Sequence, residues 1–187
     1  MKYFLGFLVA IGLIILVVIL IIRAIGGGND EAVAPKAVLS DYANTATVMR
    51  LTIDDRVEAE EKHYQVRITV GRDERTVDVI QGYEGDVTNT QTYDNNQEAY
   101  AVFLKSLQFQ GYTNGDPDPA KADERGLCPT SRRYIYEIIS PGGDTLQRFW
   151  NSECKVGTFK GNASVIRNLF RAQIPDYPTH IRGTGLQ

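Results

Sequence analysis

The chain has 187 residues, of which 43% are hydrophobic and 23% charged, with a formal net charge of −3. With Lys2 and Arg23 set aside, 18 basic residues stand against 23 acidic ones, and a domain near −5 argues against nucleic acid and against a basic contact with anionic lipid. Two cysteines permit a single disulfide, and two cysteines with two scattered histidines do not readily make a zinc site.

Residues 3–22, YFLGFLVAIGLIILVVILII, carry no charge. A helix of about 20 residues reaches roughly 30 Å, the thickness of a bilayer's hydrocarbon core, whereas a cleavable signal peptide has a shorter apolar region. The run predicts a transmembrane signal anchor over 1–25, with the lipid bilayer as its partner. The α-amino group and Lys2 precede the run, while Arg23 and Lys36 beyond it are offset by Asp30 and Glu31. The positive-inside tendency then expects a single-pass cell-membrane protein, its N-terminus cytoplasmic and the rest outside. Gly26-Gly27-Gly28 through Pro35 reads as a flexible spacer over 26–39.

An extracytoplasmic domain is expected over 40–177. Met49, Leu51 and Ile53 alternate with polar residues, as in a half-buried strand. Tyr64, Val66, Ile68 and Val70 alternate in turn, followed after Gly71-Arg72-Asp73-Glu74 by Val77 and Val79. A turn centred on Arg72-Asp73 sets Ile68 opposite Val77 and Val66 opposite Val79. Tyr100, Phe103, Leu104 and Leu107 form a helical stripe, with Asn95 and Glu98 near its start and Gly111 at its stop. Residues 113–131, with Pro117, Pro119 and Pro129, read as a polar loop. Segments 132–140 and 145–151 flank Pro141-Gly142-Gly143-Asp144, a second hairpin. A second helix is expected over about 163–174, stopped by Pro175. Residues 178–187 read as a dispensable tail without an apolar face. Hairpin–helix, hairpin–helix predicts an α+β fold: the transmembrane helix, then an antiparallel sheet with two helices on one face in a two-layer sandwich.

The stretch TLQRFWNSECKVGTFKG (145–161) holds the only tryptophan and one of the two cysteines. Centring the second hairpin on Gly142-Gly143 pairs Ile139 with Leu146, Glu137 with Arg148 and Ile135 with Trp150, and sets Tyr136 against Phe149 on the other face. Cys154 then lies opposite Ser131, three residues from Cys128, so Cys128 and Cys154 are expected to form a disulfide. Closing about 26 residues contributes roughly 3–4 kcal/mol on the chain-entropy model. Tyr134, Tyr136, Phe149 and Trp150 are either core or a binding surface.

Other chemistry is sparse. His63 and His180 read as solvent-exposed. Asn114-x-Asp116-x-Asp118 has the opening of a calcium loop, but Pro119 stands at the glycine position and Arg125 at that of the bidentate glutamate. The acidic residues Asp54, Asp55, Glu58, Glu60 and Glu61 read as a solvated connection. Gly157 to Ser164 lacks the lysine-serine/threonine end of a phosphate loop and reads as a turn capped by Asn162 or Ser164. No catalytic, cofactor-binding or metal-binding residue is assigned.

Trp150-Asn151-x-x-Cys154-x-x-Gly157-Thr158-Phe159, followed by Ile174-Pro175-Asp176-Tyr177, resembles a signature in small signal-anchored proteins of Saccharibacteria-type candidate-phylum bacteria. The resemblance covers roughly the last third of the chain. It implies an exported, single-span surface protein and assigns no catalytic residue. Two functional expectations follow. The first is a membrane-tethered, non-catalytic interaction module engaging a protein or envelope component. The alternative is an extracytoplasmic hydrolase acting on envelope glycans through two carboxylates.

Overall fold

The sheet is built around β1 (Val48–Asp54), which lies near its middle and pairs with a neighbouring strand along each edge. The computed structural model describes residues 37–186. β1 is followed by β2 (Tyr64–Val70), β3 (Glu74–Gln81), β4 (Asp86–Asp94), helix α1 (Gln97–Phe109), β5 (Arg133–Ile139), β6 (Thr145–Ser152), helix α2 (Ala163–Arg171) and the short α3 (Tyr177–His180). The six strands run in the order β4–β3–β2–β1–β5–β6, each neighbouring pair antiparallel.

The α+β character is as expected, but two parts of the expected architecture are corrected. Among the described residues no helix is long and apolar enough to cross a membrane, so the sheet is not preceded there by a spanning helix. Residues 3–22, on which that expectation rested, lie outside the described residues. The hairpin–helix repeat is also replaced: four strands in a meander precede α1, and only the second half is a hairpin followed by a helix. The unforeseen strand is β4, exposed along nearly its whole length, so burial imposes no apolar alternation on it. Its cues are the threonines and the glycines of the preceding turn, Gly82 (φ 75°) and Gly85 (φ 88°).

One face of the sheet buries Met49, Leu51 and Ile53 of β1 with Val66, Ile68 and Val70 of β2 and Tyr134, Tyr136 and Ile138 of β5. Tyr100, Phe103, Leu104 and Leu107 of α1 share that core with Ile166 and Phe170 of α2, and Phe103 meets Phe170 edge-to-face at 5.2 Å. Asn96 caps α1 by accepting from the Ala99 amide (2.9 Å), and Asn162 caps α2 by accepting from Val165 (3.4 Å). Both hairpin registers follow the sequence-based pairing as far as Ile138, where a shift sets Ile139 opposite Thr145 instead of Leu146.

The ends of the domain are packed. Leu39, assigned to the spacer from sequence, is wholly buried, and its amide donates to Gln108 Oε1 (2.8 Å). Ile181 and Leu186, in the expected tail, are likewise wholly buried. The tail has no periodic stripe because it enters the core at isolated points through a short helix and turns. Ile181→Ala is therefore expected to cost about 2–5 kcal/mol in urea unfolding; an unchanged midpoint would show that the C-terminal segment is dispensable.

Candidate functional site

The quoted stretch 145–161 resolves into a strand, a disulfide and a tight return. Cys128 and Cys154 are bonded, with Cα atoms 6.4 Å apart, at the open end of the β5–β6 hairpin. Ser152 Oγ donates to the Val156 carbonyl (2.9 Å) and lies 3.1 Å from Cys154 Sγ, tying the return to the bridge. The chain then folds back along β6 through Gly157 (φ 144°), where a Cβ would stand 2.3 Å from the Trp150 carbonyl oxygen. Only glycine fits there.

Of the two readings open for the four aromatics of the hairpin, core and binding surface, their burial supports core. Tyr134, Tyr136, Phe149 and Trp150 are between 0% and 8% exposed. Tyr136 stacks on Phe159 at 4.1 Å, and burial pushes its hydroxyl up to about 12. Trp150 lies on the other face of the sheet, under the 113–131 loop, donating from Nε1 to the Lys121 carbonyl (2.8 Å). The same loop receives Arg148, which pairs with Glu124 and, at 3.5 Å, with Glu137. The hairpin is thus covered on both faces at these four aromatics.

A polar cleft of about 610 Å³ opens beside the ends of β1, β2 and β5, next to the disulfide. Asp55, Glu58, Glu61 and Glu153 bring carboxylates to it, and Lys62 and Arg132 bring cationic groups. Three of those carboxylates are engaged. Asp55 faces Arg132 at 3.5 Å, Glu58 pairs with Arg56, and Glu153 accepts from the Tyr134 hydroxyl at 3.1 Å. Glu61 has no ion pair among the described residues, and neither has Lys62. A glycosidase requires two carboxyl groups free to face one bond, one of them as a proton donor. Among the described residues no group of three histidine, cysteine or carboxylate side chains is placed to hold a metal ion. Asp116 and Asp118, from the calcium-like segment, instead face Lys121 at 2.8 and 3.3 Å.

Behind the cleft lies a buried ionic cluster. His63, expected at the surface, is wholly buried: Nδ1 is 3.1 Å from the Arg56 carbonyl, and Nε2 is 3.1 Å from Asp54 Oδ1. The latter is an ion-pair distance without the alignment of a hydrogen bond. Arg133 forms an ion pair with Asp54 Oδ2 at 2.6 Å, and Tyr83 stacks on His63 at 4.1 Å. Burial outweighs the attraction of Arg133 and His63, so the Asp54 carboxyl is held above its ordinary range. These residues fasten the 55–63 loop, which supplies one wall of the cleft. Sequence offered one cue: Asp54 continues the polar alternation of Arg50 and Thr52. His180, also expected at the surface, lies 2.6 Å from the Tyr93 hydroxyl.

No protein-family model, curated protein or solved structure matches the chain.

Removing Asp54 leaves Arg133, only 6% exposed, as an uncompensated buried charge. Asp54→Ala is expected to cost about 3–5 kcal/mol in urea unfolding. Asp123→Ala, which breaks the exposed pair with Arg125, should leave the midpoint in place. Indistinguishable midpoints for the two variants would refute the buried cluster as the support of the loop.

Proposed function

We propose that this protein is a non-catalytic binding module at the outer face of a membrane, where the strand-end cleft engages a protein or an envelope component. The carrying observation is the cleft itself. It is polar, carries both signs of charge, and holds three of its four acidic groups in ion pairs or a hydrogen bond. A partner segment bearing complementary charges would exchange water for these fixed groups, gaining specificity more than raw affinity. The disulfide supports an oxidising compartment, and the uncharged run at 3–22 supports attachment to lipid. The resemblance carried by Trp150, Cys154 and Gly157 to signal-anchored bacterial surface proteins agrees with that placement.

A photo-crosslinking residue at Glu61, Lys62 or Thr130 tests the reading in intact cells, with the exposed Lys105 on α1 as the control position. Capture of one defined partner from the cleft positions but not from Lys105 is the expected result. Equal capture from all four positions would contradict the cleft as the recognition site. Hydrolysis of envelope glycan by the purified protein, abolished by Glu61→Gln, would replace the binding module with the carboxylate hydrolase.

A further inference from the structure

The face of the sheet opposite the helices carries a second feature, away from the cleft. Register places Arg50 of β1 beside Thr69 of β2, which pairs with Thr76 of β3 and through it with Thr92 of β4. In the next row Thr52 pairs with Arg67, which stands opposite Asp78. Alternation puts all of these on one face, since Met49, Leu51, Val66 and Ile68 occupy the other. Arg50 and Arg67 are diagonal neighbours, so their Cβ atoms are about 7–8 Å apart.

Both guanidinium groups lack a partner among the described residues. Neither arginine forms an ion pair or side-chain hydrogen bond among the described residues, and the Nε of each is buried and unsatisfied. The carboxylates nearest in register are directed elsewhere: Glu137, opposite Arg50, pairs with Arg148, and Asp78 accepts from the Thr90 hydroxyl at 2.7 Å. An unsatisfied charged donor is costly, and two on adjacent strands call for a shared acceptor. The planar five-donor fork of arginine matches a carboxylate two oxygens at a time.

We infer that this sheet face binds an acidic polysaccharide, with Arg50 and Arg67 clamping a sugar carboxylate and Thr69, Thr76 and Thr92 receiving the hydroxyls of the chain as it runs towards the β4 edge. The two unpaired cations supply the charge complementarity. The threonine row continues for three strands beyond Arg50, which fits an extended chain rather than a lone ion.

The full chain in nonionic detergent, titrated with an oligogalacturonate, tests this directly. The wild type is expected to bind oligogalacturonate, with affinity falling as salt rises, and to leave neutral dextran unbound. The Arg50→Gln/Arg67→Gln double variant should weaken binding at least tenfold. Thr76→Asp, which adds a negative charge to the same face at a half-exposed position, should do the same while preserving the circular dichroism of the fold. Binding unchanged in both variants would overturn the inference. So would no binding to the wild type, or inorganic phosphate binding as tightly as the oligomer. Cleft crosslinking is unaffected by these substitutions, so failure here leaves the cleft reading to its own experiment.

Discussion

The pairing of β1 with β5 is the constraint on which the rest of the structure depends. It joins segments about 80 to 90 residues apart, Val48 to Ile139 at one end and Asp54 to Arg133 at the other, and it is the ladder that connects the four-stranded meander to the C-terminal hairpin. Closing so long a loop costs entropy before any contact rewards it. The reward is spread along the junction. Tyr112, wholly buried, sets its hydroxyl 2.8 Å from both the Arg50 and the Glu137 carbonyls, and Gln147 of β6 donates to the Tyr112 carbonyl at 3.2 Å. A single hydroxyl proton thus serves two strands at their seam. The Asp54–Arg133 pair closes the junction at its cleft end.

The two proposed surfaces follow from this junction. The cleft gathers the 55–63 loop after β1, Tyr64 at the start of β2, Arg132 ahead of β5 and the C-terminal turn at Gly183 to Gly185. Each comes from a different part of the chain, and each reaches the cleft because β1 and β5 end side by side. The disulfide holds the same end of the hairpin from the other side, and its stabilisation is of the order of 3–4 kcal/mol on the chain-entropy model. The outer face is divided by the same geometry. Over Trp150 and Arg148 it lies under the 113–131 loop, while the Arg50–Arg67 patch on β1 and β2 carries cations with no ion-pair partner among the described residues.

What could be read from sequence was whatever a period or a turn had to enforce. Val66, Ile68, Val77 and Val79 face a core and alternate, so the first hairpin and its register were legible. The stripe Tyr100, Phe103, Leu104 and Leu107 gave α1 for the same reason. β4 escaped because an exposed edge strand needs no apolar alternation, and the bulge beyond Ile138 because one inserted residue leaves no mark on the period. The aromatic hairpin was ambiguous in one dimension: Tyr136 and Trp150 are on opposite faces, and only the long-range packing of helices and loop shows both to be buried. His63 is the sharpest failure. Glu60, Glu61 and Lys62 just before it are charged and exposed, yet its contacts to Asp54 and the Arg56 carbonyl come from a loop that folds back across the end of β1.

Native-state hydrogen exchange tests the role of the β1–β5 junction most directly. If the junction makes one cooperative unit of both halves, the protected amides of β1 and β5 exchange only through global unfolding and with a common free energy, while β4 at the edge exchanges through smaller openings. Exchange of β5 and β6 at a distinctly lower free energy, with β1 to β3 still protected, would contradict it.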